Sequence, residues 1–373
     1  MVHADSARFP SRVLDSQAAS NGPDAAVERQ EAVHQIFEHP GNEKQRVARS
    51  QKSGLSILTS EELSEWDTLV ETSQQCSIFC KSWWLKAACD DVRVLGYFEL
   101  GQLIAGIPLH YERRLGLRMC RMPMLTQTMG VVIRPLAGRK VTVESRETNI
   151  LNVFAERLLQ EPIFIQAFHP TSQNWLPFFW RGFTQTTHYT YVLDDLSSTD
   201  RLWSGLVSER RTNIRKAHRL GLSVKECSPE TVYEISKANF ERQGRRNPYP
   251  LGYLRHLYEA ARARDAGVCM AAEDRDGTVH AAAFFIWDSK RGYQLAGGHE
   301  PSLGSTGGGA LLQWNMIEYA AGRTAVFDFE GSMTKQVEIS FRSFGARRVP
   351  YNRIVKMPNW LRICHCAVGK VRL

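Results

Sequence analysis

One succession of elements occurs twice along this chain, and that repeat limits its folds more than any single motif does. A helical run, Lys81-Ser-Trp-Trp-Leu-Lys-Ala-Ala, leads to an apolar strand over Val92–Leu100 and a Gly101-Gln102 turn. A second strand over Leu103–Tyr111 and a basic turn, Arg113-Arg114-Leu115-Gly116, complete the unit. The order returns with a helix from Leu251 to Ala261, a strand over Val268–Glu273 and a turn at Asp274–Gly277. A strand over Val279–Trp287 and the basic turn Ser289-Lys-Arg-Gly292 then follow. Such a chain reads as two related α/β domains with mixed sheets, set in tandem. The polar turn Asp194-Asp195-Leu196-Ser-Ser-Thr, after a strand over Tyr189–Leu193, marks the join. The expected domains are 53–195 and 196–358. A polar, Ala/Ser/Gln-rich extension (1–52, with one helix around Asp24–Glu38) precedes them, and a tail (359–373) follows.

The length of 373 residues suits two domains or one large one, and 43% hydrophobic content supplies material for two cores. At Thr59-Ser60-Glu61-Glu62 a helix start is expected, with Trp66, Leu69 and Val70 on its buried face. No apolar run is long enough to cross a bilayer, and the N-terminus lacks a basic patch followed by an apolar core, so a cytoplasmic protein is expected. Eight cysteines include one local cluster, Cys364-His365-Cys366, but no paired CxxC sets, so buried reduced thiols are expected and no metal. The net charge of +8 lies beyond the first fifty residues and suits an anionic partner such as a nucleotide, RNA or acidic lipid.

Three stretches carry candidate chemistry. The apolar run Thr324–Phe329 places Asp328 and Glu330 on and just beyond a buried strand, with a turn at Gly331 and an amphipathic helix ending at Phe344-Gly345. A strand end of this kind is a ready floor for a ligand cleft. Ser208 to Gly221 is a helix with a glycine stop, apolar at Leu206, Ile214, Ala217 and Leu220 and basic at Arg211, Arg215, Lys216 and His218. Its guanidinium forks match phosphate oxygens, although a solvated charged face would read the same way. The loop from His299 through Gly307-Gly308-Gly309 runs into a helix, and bare N–H groups at such a start can cradle a phosphate. It is neither a Walker loop nor a dinucleotide fingerprint. No nucleophile triad stands out, so chemistry would rest on positioning and one proton acceptor.

In order, Ser82-Trp-Trp-Leu, Gly182-Phe183, Thr190-Tyr-Val-Leu-Asp-Asp-Leu and Arg211-(x)-Asn-Ile-Arg-Lys-Ala lead into Gly297-Gly298 and Leu311-Leu-Gln-Trp. Phe327-Asp-Phe-Glu-Gly-Ser and Phe341-Arg-Ser-Phe-Gly-Ala close the series. Together they resemble the Fem-type branch of the GNAT acyltransferase superfamily, which includes FemABX peptidyltransferases and related cellulose-locus or exopolysaccharide acyltransferases. The resemblance spans roughly residues 55–355 and implies two GNAT-like domains. It implies transfer of an acyl or aminoacyl group from acyl-CoA or aminoacyl-tRNA, with no tightly bound cofactor, to an amine on a saccharide or peptide acceptor. Donor contacts would fall to Arg342, Gly307, Gly308, Gly309, Arg211, Arg215 and Lys216. Glu330 or Asp328 would take the amine's proton or hold the acceptor, and Trp83, Trp84, Tyr293 and His299 would line the acceptor groove. Cell-envelope or polysaccharide biogenesis, tRNA as a partner and contact at the membrane's inner face follow from the same likeness. An acetyl-CoA-dependent sugar acetyltransferase and a non-catalytic RNA or anion binder are the rival readings. Two departures stand against a simple acetyl-CoA enzyme. Phe341 occupies the slot of the usual acidic tyrosine, and the loop at 302–309 lacks the usual Arg/Gln-x-x-Gly-x-Gly/Ala spacing.

Overall fold

A computed structural model describes residues 52–361, apart from positions 76, 92, 115 and 332. The helix expected at 24–38 and the Cys364-His365-Cys366 triplet lie outside the described residues. The described residues belong to one compact unit.

The first half runs β1 (Gly54–Ile57), α1 (Leu63–Thr72), α2 (Ser82–Ala88), β2 (Arg93–Glu99), β3 (Gln102–Leu109), β4 (Tyr111–Arg114), β5 (Leu117–Arg121) and β6 (Val132–Ile133). It continues through α3 (Lys140–Leu158), β7 (Phe164–Ala167), α4 (Leu176–Phe179) and β8 (Thr184–Leu193). The second half runs α5 (Thr199–Gly205), α6 (Ser208–Arg219), β9 (Ser223–Glu226), α7 (Pro229–Arg242), α8 (Leu251–Arg262), β10 (Gly267–Glu273), β11 (Val279–Trp287) and β12 (Arg291–His299). It closes with α9 (Gly308–Ala321), β13 (Val326–Asp328), α10 (Lys335–Arg342) and β14 (Arg347–Lys356). The repeat therefore reaches beyond the hairpins. In both halves a long helix, a short strand, a short helix and a ten-residue strand follow in the same order. The two repeated helices, α2 and α8, pack against each other.

Local chemistry accounts for the boundaries. The Glu62 carboxylate accepts from the Thr59 N–H at 2.9 Å, so half of a capping box opens the turn before α1. Trp66, Leu69 and Val70 are buried beneath that helix. Gly221 ends α6 in the left-handed region at φ 78°, while the Leu222 N–H returns to the Ala217 carbonyl at 3.1 Å. Ile214 and Ala217 lie under α6, but Leu220 sits past the helix end and is exposed.

Strands form a four-stranded sheet, β1-β2-β3-β6, and a ten-stranded sheet, β4-β5-β7-β14-β8-β13-β12-β11-β10-β9. The final strand of each half lies beside the other half. β14 is antiparallel to β7 on one side and to β8 on the other, where Arg347 to Val355 face Val192 to Thr184. β8 in turn pairs with β13. Mutual insertion of long strands satisfies both backbone edges and makes one continuous sheet of the two halves. We keep the join at 195/196 as a proposal about the sequence; the sheet itself runs across it. One face of the large sheet is covered by α5, α6 and α9 over Tyr191, Phe285, Phe327 and Phe329. The opposite face carries α2, α7 and α8 over Phe79, Trp84, Phe284 and Tyr293.

A candidate acyl-transfer cleft

The cleft follows from how two parallel strands part. β12 and β13 pair only from Arg291–Val326 to Tyr293–Asp328. Beyond that point β12 stays with β11 as far as His299, while the chain after β13 follows β8, the Phe329 N–H bonding to the Tyr191 carbonyl at 2.9 Å. The pairing of β11 and β12 slips between Phe284 and Phe285, leaving Leu295 as an extra residue at the mouth. Diverging carboxyl ends of parallel strands open a crevice with polar backbone on its walls.

On the α6/α9 face, the glycine loop and the basic helix meet. Gly307 is the N-cap of α9 at φ 84°, and a Cβ there would lie 2.1 Å from the Asn213 carbonyl oxygen of α6, so only glycine fits. The Lys216 ammonium donates to the Ser305 carbonyl at 2.5 Å. Gly308 packs on His280, where a Cβ would meet that of His280 at 2.7 Å. The first-turn N–H groups of Gly309 and Ala310 bond to no described residue. With the positive end of a fourteen-residue helix behind them, these groups favour an anion. Arg215 with Thr212, His218 and Arg219 lines a basic cavity of about 550 Å³ on α6. Arg211 turns elsewhere. Its guanidinium donates to the carbonyls of Ser204 at 3.2 Å and Leu206, capping the end of α5. Arg342 is exposed on α10 and pairs with Glu338 at 3.0 Å.

On the opposite face stand the carboxylates. Asp328 is fully buried and fully engaged. It accepts from Arg291 Nη1 at 2.8 Å, from the Glu330 N–H at 2.8 Å, from the Thr190 hydroxyl and from Gln127 Nε2 at 3.5 Å. A carboxylate so committed holds the strand end together and has no lone pair to spare. Glu330 differs. It is held in the left-handed region at φ 58°, and its carboxyl accepts no hydrogen bond from a described residue. Some of its surface stays open to solvent, but protein rings the carboxyl. Burial first, and then the Asp328 charge, hold it well above the usual carboxylate range. Gly331 permits the turn that aims it, since a Cβ there would come 2.3 Å from the Tyr189 carbonyl oxygen. The Glu330 charge is felt at Tyr351 and at Tyr249, whose hydroxyl burial pushes up to about 12.

The aromatic residues expected at the acceptor groove are mostly elsewhere. Trp84 is wholly buried, its indole N–H bonded to the Thr126 hydroxyl at 3.1 Å, and Tyr293 packs 4.7 Å from Phe79 in the same core. Trp83 lines a cavity of about 380 Å³ with Asp288 and Ser289 of the β11–β12 turn, at the other end of β12 from the cleft. His299 does lie at the cleft end, exposed, with its carbonyl held by Asn239 Nδ2 at 2.6 Å. Sequence reasoning passed over a larger cavity, about 900 Å³, between β4–β5 and α8. Lys86, His110, Arg113, Arg121, Tyr253 and His256 are among its walls. Pro248, the residue before Tyr249, is also among them. The basic turn at Arg113-Arg114 was its one visible trace in the sequence.

A tandem α/β architecture with a splayed parallel pair, and an anion-seeking helix start beside it, is the fold of GNAT-type proteins. Residues 208–334 match the family model of the acetyltransferase (GNAT) domain. Solved structures match over most of the chain, three of them as follows. FemX is 12% identical, covering 80% of this chain and 96% of its own at a TM-score of 0.60. The C-terminal DUF2156 domain of a protein described as a lysylphosphatidylglycerol synthetase, from Agrobacterium fabrum, is 14% identical, with coverage of 84% and 99% and a TM-score of 0.50. A tandem GNAT protein from the clavulanic acid biosynthesis pathway is 13% identical, with coverage of 81% and 97% and a TM-score of 0.49. No curated protein matches in sequence. In fold the chain is similar to FemX over most of its length. Among the described residues, no helix is long and apolar enough to cross a membrane.

Proposed function

We propose that this protein moves an acyl or aminoacyl group from a polyanionic carrier, acyl-CoA or aminoacyl-tRNA, to an amine on a cell-envelope or polysaccharide precursor. The observation that carries this reading is the parting of β12 from β13 between an anion-seeking helix start on one face of the sheet and a carboxyl on the other. Free N–H groups of Gly309 and Ala310, with the cationic face of α6, stand on one side, and the unpaired Glu330 carboxyl stands on the other. The carrier's phosphates would lie on the first side with its acyl carbon between the strand ends. Glu330, its pKa raised by burial and then by the Asp328 charge, would take a proton as the amine nitrogen attacks that carbon. The C–S or C–O bond to the carrier then breaks, and the departing sulfur or oxygen is protonated by solvent. Phe341 packs 5.0 Å from Phe329 and offers no hydroxyl for that last step. The basic 900 Å³ cavity is the proposed acceptor site, in place of Trp84 and Tyr293.

A donor screen tests the proposal. Acyl-CoAs and charged tRNAs, each with amino sugars, nucleotide-linked peptides and lipid-linked amines, would be followed by product mass. Turnover on an amine with either donor is expected. Products on hydroxyl acceptors alone would overturn the amine assignment, and acetyl-CoA with amino sugars alone would move the protein to the sugar acetyltransferases.

A further inference from the structure

A buried histidine outside the cleft is wired to the glycine loop. At the β10–β11 turn, Asp274 Oδ1 accepts from the N–H groups of Asp276 at 3.0 Å and Thr278 at 2.9 Å, so the turn clasps its carboxylate. Its other oxygen lies 3.2 Å from His280 Nε2. His280 is 8% exposed, and its Nδ1 lies 3.0 Å from the Thr306 hydroxyl inside the loop. That hydroxyl accepts from the Gly308 N–H at 3.3 Å. The Glu300 N–H also bonds the His280 carbonyl at 2.8 Å, so one residue holds both ends of the loop.

We infer that Asp274 and His280 are positioning residues for the donor. Through Thr306 they fix the loop in the shape that leaves the Gly309 and Ala310 N–H groups facing the cleft. The inference rests on the reading of that loop as the donor's anion site. Asp274 accepts the Nε2 proton, which leaves Nδ1 to accept from the Thr306 O–H, and the Thr306 oxygen then takes up Gly308, the first N–H of α9. Without the relay the loop must be ordered by the donor itself, and that ordering weakens binding without touching the reacting atoms.

Asparagine places a polar atom near the Nδ1 position and glutamine near Nε2, so the two substitutions separate the ends of the relay. Binding of coenzyme A and of deacylated tRNA would be measured by titration, with donor KM and kcat from the turnover assay and Tm as control. Thr306→Val and His280→Gln should each weaken carrier binding roughly fivefold to tenfold, the loss of about one hydrogen bond. Donor KM should rise with kcat unchanged at saturation. His280→Asn, which keeps the acceptor for Thr306 but loses Asp274, should weaken binding by more than about twofold yet less than His280→Gln does; wild-type binding in it would remove Asp274 from the relay. Thr306→Val combined with His280→Gln should be no worse than either alone. Lowered Tm with unchanged carrier binding in all variants, or tighter binding by Thr306→Val, overturns the positioning role alone. Wild-type protein that binds neither carrier overturns the donor reading beneath it.

Discussion

The ends of β7 and β13 occupy the same place in the repeat, and they have been put to opposite uses. Two residues past β13 stands Glu330, and two residues past β7 stands His169. His169 is 5% exposed, its Nδ1 lies 2.8 Å from the Thr171 hydroxyl, and burial with the charges of Arg291 and Lys290 holds its pKa down to about 3. A proline follows it where Gly331 follows Glu330. The first slot is thus closed, neutral and packed, while the second carries a carboxyl with no hydrogen-bonded partner among the described residues. Arg291 touches both, pairing with Asp328 and disfavouring a charged His169. When a domain is doubled, one copy can keep the reactive group while the other becomes scaffold and binding wall.

The comparison breaks most visibly at Asp328. Asp328→Ala leaves Arg291 without its buried partner and should cost about 3–5 kcal/mol in denaturant unfolding. Among the described residues the buried side-chain amide of Gln166 on β7 donates to the Pro108 carbonyl alone, at 2.7 Å, so Gln166→Leu should cost about 1–3 kcal/mol. Ala167 holds the slot of Asp328 in the first copy, so equal losses would mean that the buried ion pair adds nothing beyond an ordinary buried amide. Next comes Glu330→Gln. It should lower kcat about 10²–10³-fold with donor affinity intact, the range of a lost general base. The wild-type rate should climb with pH as Glu330 ionises at its raised pKa, and the variant should lack that limb. A native pKa above the unfolded value means the fold binds the extra proton, so stability falls as pH rises through that range. Glu330→Gln should therefore be the more stable protein at neutral pH, and a less stable variant would recast Glu330 as a structural residue.

His169 gives the mirror image and a smaller effect. Its native pKa lies below the unfolded value, so the unfolded chain takes the proton first and stability is lost as pH falls from about 6.5 toward 3. The slope attributable to this group is at most about 1.4 kcal/mol per pH unit, and His169→Gln should remove it. An unchanged acid limb in the variant would show that His169 is reached by solvent.

What could be read from residues alone divides along the same line. The helix–hairpin repeat, the strand ending at Asp328 and the glycine stop of α6 depend on neighbours in sequence, and each is where periodicity and turn chemistry put it. Gly307 was visible as a loop glycine, though its reason, the Asn213 carbonyl, was not. Partners from distant segments stayed hidden. Nothing near Arg211 says that its guanidinium meets the α5 carbonyls, and nothing near Asp328 announces Gln127 from the other half. Trp84 and Tyr293 carry the composition of a stacking surface and the burial of a core. The 900 Å³ cavity draws its walls from segments far apart in the chain, and only its basic turn stood out.

The smallest effect belongs to Arg342, and it sharpens where the donor lies. Its side chain is 64% exposed and its ion-pair partner among the described residues, Glu338, sits a helical turn away, so Arg342→Ala should change stability by about 0.5 kcal/mol or less. Any larger consequence must come through a ligand. If the carrier runs along α10 as well as α6, the variant should raise donor KM a few-fold, and raised salt should shrink the difference because an exposed charge is screened. If the carrier leaves over α6 alone, Arg215→Ala should carry that salt-sensitive loss while Arg342→Ala behaves as wild type. The pair of variants, measured at low and high salt, thus separates the two routes across a single face of the sheet.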